Sequence, residues 1–87
     1  MRERDGFDEI DVKDTKELTR VQLIKIGKRL KELRTNNGLS LNDISFYLFS
    51  NITTVDSLER GRVKNVTLLT LSKFSVFYGV PITELFN

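Results

Sequence analysis

The chain has 87 residues, 39% of them hydrophobic and 30% charged, with one proline, no cysteine and no histidine. That is one small domain with a single modest core, and the missing residue types exclude a disulfide framework, most zinc sites and the commonest general base. The net charge of +2 is unevenly placed: residues 1–18 carry −3 and residues 19–87 carry +5, so the body of the chain suits a polyanionic partner.

Residues 1–18 are dense in charge and poor in apolar groups and read as a mobile arm, which leaves residues 19–87 as the folded domain. The opening MRERDGFDEID has no apolar signal segment, and no window approaches 18 apolar residues. Export and a membrane-spanning helix are thereby disfavoured, and the cytoplasm is the expected location. Asp14 with Glu17, and Thr19 with Gln22, have the spacing of a reciprocal helix cap, so each is a candidate helix start. From there Leu23, Ile26, Leu30 and Leu33 form a helical apolar stripe, with Lys25, Lys28, Arg29, Lys31 and Glu32 on the other face. Asn36, Asn37 and Gly38 close this first helix, since both residue types tolerate the left-handed C-terminal position.

Ser40 caps a second helix, with Asp43 three residues on, Ile44 and Leu48 facing inward, and Ser45 small enough for a close neighbour. A turn of Phe49, Ser50 and Asn51 follows. Asn51 caps a third helix in which Val55 and Leu58 face the core, and Gly61 stops it. After a basic loop, Thr67 caps a fourth helix with the stripe Leu68, Leu71, Phe74, Phe77 and Tyr78. Gly79 and Pro81 break the chain, and Ile82–Phe86 is long enough for a fifth short helix that tucks Leu85 or Phe86 inward. No segment alternates like a strand, so the fold class is all-α, with five helices. The stretch from Leu39 to Gly61 is a capped helix, a tight turn and a second capped helix. This is the pattern of a helix-turn-helix, which lays its second helix in the major groove of DNA.

From about Ile26 to Phe86 the chain resembles the phage repressor/Cro type of helix-turn-helix domain, the XRE family. The resemblance rests on IGKRLKELRTNNGLS, the apolar positions Ile44, Leu48, Val55 and Leu58, the ERG at Glu59 to Gly61, and the ending GVPITELF. It implies a compact, lambda-repressor-like domain of four or five helices. It also implies a regulator of transcription, a repressor, that binds a palindromic operator on double-stranded DNA as a homodimer on the nucleoid. From the resemblance, Arg34 pairs with Glu59 to set the angle of the recognition helix. Phe77, Val80, Ile82 and Phe86 lie at the end that makes the dimer in relatives.

The candidate DNA contacts follow from residue chemistry on this frame. Ser40 and Asn42 stand at the N-terminus of the second helix, where free amides and the helix dipole favour a phosphate. Leu41 occupies a place where many relatives carry glutamine, and leucine can neither donate nor accept. On the third helix, Asn51, Ile52, Thr53, Thr54 and Ser57 form the reading edge. Ile52 suits a thymine methyl, Thr53 and Ser57 hydrogen-bond without strong discrimination, and Asp56 either accepts from a cytosine amino group or repels phosphate. Arg60, Arg62 and Lys64 are the candidate phosphate contacts, which position a protein without reading sequence. No cofactor, metal or catalytic motif is present, so an enzyme is not the expectation. The weak reading edge, together with Phe46, Tyr47 and Phe49 off the core stripe, motivates an alternative: a protein-interaction module of the same fold, antirepressor or antitoxin-like, binding a partner through those aromatics.

Overall fold

The computed structural model describes residues 12–48 and 51–86. Helix α1 runs Val12–Asn36, α2 Leu41–Leu48, α3 Ile52–Glu59 and α4 Leu68–Tyr78, and a 3₁₀ turn over Ile82–Phe86 closes the chain. The expected fifth helix is therefore corrected: there are four α-helices among the described residues, and the last segment is 3₁₀. Glu84 N donates to Pro81 O at 2.9 Å. Five residues closed by such an i→i+3 bond turn tightly enough to bring Leu85 inward but are too few for a repeating α-helical ladder. Leu85 is fully buried and Phe86 is 40% exposed, which decides between the two.

The reciprocal-cap spacings at Asp14 and Thr19 do not mark the start of α1, which begins at Val12. Thr19 lies inside the helix and its hydroxyl donates to Thr15 O at 2.9 Å, so it back-bonds to the turn rather than capping it. Residues 12–18, read as part of an arm, form the first turns of this helix, and residues 13–20 are exposed. Residues 1–11 lie outside the described residues, as does the turn residue Phe49. At 25 residues, α1 is about 37 Å long, so its first third overhangs the core.

The core is a single cluster built from every element. Ile26, Leu30 and Leu33 of α1 meet Ile44 of α2, Val55 and Leu58 of α3, Leu71 and Phe74 of α4, and Leu85. Leu68 is not part of it, being 70% exposed on the outer side of the first turn of α4. The short helices are set by their caps. Ser40 Oγ accepts from Asp43 N at 3.1 Å while Asp43 Oδ2 accepts from Ser40 N at 2.8 Å, two end amides satisfied reciprocally. Hydrogen bonding by the Ser40 backbone amide, and secondarily by its side chain, holds the Asp43 carboxyl below its ordinary range. Asn51 Oδ1 accepts from Thr53 N and Thr54 N, and Thr67 Oγ1 accepts from Thr70 N.

Tyr78 stacks on Phe74 with ring centroids 6.1 Å apart, yet its buried hydroxyl has no hydrogen-bond partner. Burial is the main cause that pushes this phenol up to about 12. Its folded pKa therefore lies above the ordinary value of about 10, so its contribution is fully present below pH 10 and is lost as pH rises towards 12. Tyr78→Phe removes an unsatisfied buried hydroxyl and should stabilise by about 1 kcal/mol, a rise of roughly 4–8 °C in Tm for a domain of this size. Thermal melts at pH 8 and pH 11 check both statements. The wild-type protein should lose more stability between them than the variant.

Candidate nucleic-acid interface

A chain reversal and a buried ion pair place the recognition surface. After α3, Arg62 N donates to Ser57 O at 2.9 Å and Gly61 N to Leu58 O at 3.1 Å, so the helix ends in a closed C-terminal turn. Gly61 adopts φ +68°, and a Cβ there would lie 2.9 Å from Ile24 Cα. Only glycine meets both demands. The basic loop is thereby pressed against α1.

The same end of α3 is braced by Arg34. Its Nε donates to Glu59 Oε2 at 2.7 Å and its Nη2 to Glu59 Oε1 at 3.0 Å, while Nη1 donates to Leu39 O at 3.0 Å. The side chains are 11% and 4% exposed, so the pair is buried. The Glu59 hydrogen bonds hold the guanidinium above its ordinary pKa, outweighing the opposing effect of burial. One arginine thus ties the end of α1 to the end of α3 and to the residue that leads into α2.

On this frame the candidate reading edge is open to solvent. Ile52 is 41% exposed, Thr53 and Thr54 are exposed, and Ser57 is half-buried. Asn51 is exposed, but its carbonyl oxygen is committed to the α3 cap, which leaves its amide nitrogen as the free group. Ser40 and Asn42 are exposed at the start of α2, where the Asp43 carboxylate occupies part of the positive end. Leu41 is half-buried and packs against the core. Apolar packing accounts for a leucine there.

Asp56 is not a lone carboxylate facing the partner. Arg60 Nε lies 3.0 Å from both of its oxygens, one helical turn away. The pair is largely exposed and worth only about 0.3–0.5 kcal/mol to stability, but it neutralises the acid that most opposed a phosphate. The i,i+4 spacing was the signal for it in the sequence. Arg62 and Lys64 are exposed and have no carboxylate partner among the described residues.

Two further cations join this surface that sequence patterning assigned only to an outer face. Lys28 and Lys31 of α1 line a cleft of about 460 Å³ with Leu41, Asp56, Arg60 and Arg62, floored by the Arg34–Glu59 pair. They sit three residues apart on the side of α1 that packs against α3. The outer-face reading gave no sign of which neighbour they would meet. The cleft gathers cations from α1, the end of α3 and the following loop against two acids, Asp56 and Glu59, each paired with an arginine. Its chemistry is that of a polyanion-binding surface.

Phe46 is 84% and Tyr47 63% exposed, in edge contact at 5.4 Å. Tyr47 contacts Phe77 at 5.7 Å and Phe77 contacts Tyr78 at 5.2 Å, so an aromatic chain runs from the surface to the core. Val76 and Leu69 of α4 are also exposed. Among the described residues no group of His, Cys, Asp or Glu could hold a metal ion, and no helix is long and apolar enough to cross a membrane.

Comparisons with known proteins agree with this frame. Residues 30–85 match the helix-turn-helix family. The chain is 37% identical over 62 residues to the HTH-type transcriptional regulator DdrOP3 of Deinococcus deserti, covering 71% of this chain and 47% of that protein. It thus spans about half the length of that relative. Among solved structures, the restriction-modification controller protein C.AhdI from Aeromonas hydrophila superposes with a TM-score of 0.68 at 36% identity, covering 76% of this chain and 98% of that one. The DNA-binding domain of BldD from S. venezulae superposes with a TM-score of 0.67 at 33% identity, covering 77% and 99%.

Proposed function

The chain belongs to the phage repressor/Cro (XRE) type of the helix-turn-helix family, and from that premise we propose that it is a sequence-specific DNA-binding regulator of transcription. In this reading it represses by occupying a palindromic operator as a homodimer. The observation that carries the reading is the exposed face of α3 with Arg62 and Lys64, which have no carboxylate partner among the described residues, directly beyond it. Ile52, Thr53 and Ser57 read base edges. Ser40, Asn42, Asn51 and Thr54 assist at the groove walls. Arg62 and Lys64 hold phosphates, joined by Lys28 and Lys31. Arg60 adds its outer nitrogens while its Nε stays on Asp56. The exposed apolar groups of α4 and the closing turn, Phe77 and Phe86 among them, supply the dimer contact.

Selection of bound sequences from random duplex tests this directly. A palindrome with half-sites about one helical turn apart is the expected product. On that duplex, Arg62→Gln with Lys64→Gln should lower the slope of log K against log salt by about 1.8, two phosphates at about 0.9 each, without changing base preference. Ile52→Ala should cost about 1 kcal/mol, roughly a fivefold loss, at one position of the site only. A second reading, a protein-interaction module of the same fold, is favoured by the exposed Phe46–Tyr47 pair. Failure of the wild-type protein to bind any duplex at low salt would select it over the first.

A further inference from the structure

The overhanging first third of α1 does not stand alone in solvent. It forms one wall of a cleft of about 580 Å³ whose other wall is the loop that follows α3. Lys16 and Arg20 project from the helix, one turn apart, and Arg62 and Lys64 from the loop, over a floor that includes Leu23 and Val63. None of the nine lining residues is acidic. None of the four cations pairs with a carboxylate among the described residues, whereas Arg29, Arg34 and Arg60 all do. The Lys16 and Arg20 wall lies outside the span that matches the helix-turn-helix family, which begins at residue 30.

We propose that this cleft is a second phosphate-binding site, which grips the DNA backbone outside the half-site read by α3. Four like charges converging on one concavity raise each other's energy, and an anion between them relieves that repulsion. The occupant follows from continuity. Arg62 also lines the neighbouring cleft with Lys28, Lys31 and Arg60, so the two cation sets form one track along α1. From Lys16 to Lys31 that track is about 22 Å long, a length suited to a nucleic-acid strand and excessive for a single small anion. Leu23 and Val63 give the sugar edge an apolar floor.

The proposal rests on the DNA-binding reading, and the test separates the two. Lys16→Gln with Arg20→Gln changes two exposed side chains and should leave the far-ultraviolet circular dichroism unchanged. Both proteins, as full chains, are titrated with the selected duplex, with and without about ten flanking base pairs, one helical turn. On the long duplex the variant should lose about 1.8 from the salt slope and bind on the order of 50-fold more weakly at 0.1 M salt, with base preference intact. On the short duplex the two proteins should be closer. An unchanged slope on the long duplex overturns the second site and leaves the reading of α3 standing. If the wild-type protein binds neither duplex, both fall. Tighter binding by the variant would also overturn it, and would assign the cleft to the acidic segment 1–11, with its five carboxylates, as a competitor of DNA.

Discussion

Replacing Arg34 by methionine should destabilise the domain by about 3–5 kcal/mol, a fall in Tm on the order of 20 °C. The reason is geometric as much as electrostatic. Glu59 is 4% exposed on its side chain and takes both of its close hydrogen bonds from Arg34. Removing the guanidinium strands a buried carboxylate and also leaves Leu39 O without its donor. Arg34→Lys should recover little, because an ammonium cannot span both carboxylate oxygens and the carbonyl together. The double change Arg34→Met with Glu59→Leu should recover most of the loss, since no charge is then left unpaired. Denaturant unfolding of the three variants checks the set. A single methionine variant as stable as the wild-type protein would show that the pair braces nothing.

The second large effect is expected at Gly27. Exchange for alanine inside a helix normally stabilises by about 1 kcal/mol. Here the sign should reverse. A Cβ on Gly27 would lie 2.5 Å from the backbone oxygens of both Leu58 and Glu59. These are backbone atoms at the end of α3 and cannot swing aside like a side chain. The helices must separate, which loosens the Arg34–Glu59 pair and the core contacts of Leu58 together. A cost of about 3 kcal/mol or more follows, at the upper end of overpacking. The same separation should weaken duplex binding in any residual folded protein, because it displaces α3. Thermal unfolding and duplex titration of Gly27→Ala measure both. A gain in stability would mean that α1 and α3 do not cross so closely.

How far the molecule was legible varies with the range of the interaction. The ends of α2, α3 and α4 were readable from Ser40 with Asp43, from Asn51 and from Thr67, because a cap joins residues two or three apart and depends on little else. The start of α1 was not. Two good cap spacings, at Asp14 and Thr19, lie inside a helix that begins at Val12, since favourable helix formers continue through a cap motif when nothing stops them. The fourth stripe was partly misleading for a related reason: periodicity names a face but not its limits, and Leu68 falls past the edge of the core. The Asp56–Arg60 pair was within reach of sequence rules, and it changes how the reading edge treats phosphate.

The sequence by itself determined an all-α domain, the order of its helices, most of its core and the helix-turn-helix frame. These follow from apolar periodicity and short-range hydrogen bonding, which the chain carries wherever it folds. Only the tertiary structure decided that the last segment is a 3₁₀ turn, that Gly27 is a crossing point, and which cations converge. Gly27 meets residues 58 and 59, and Lys16 and Arg20 face Arg62 and Lys64. Contacts between residues so far apart in the chain depend on how two helices cross, and no local pattern in either helix specifies that angle.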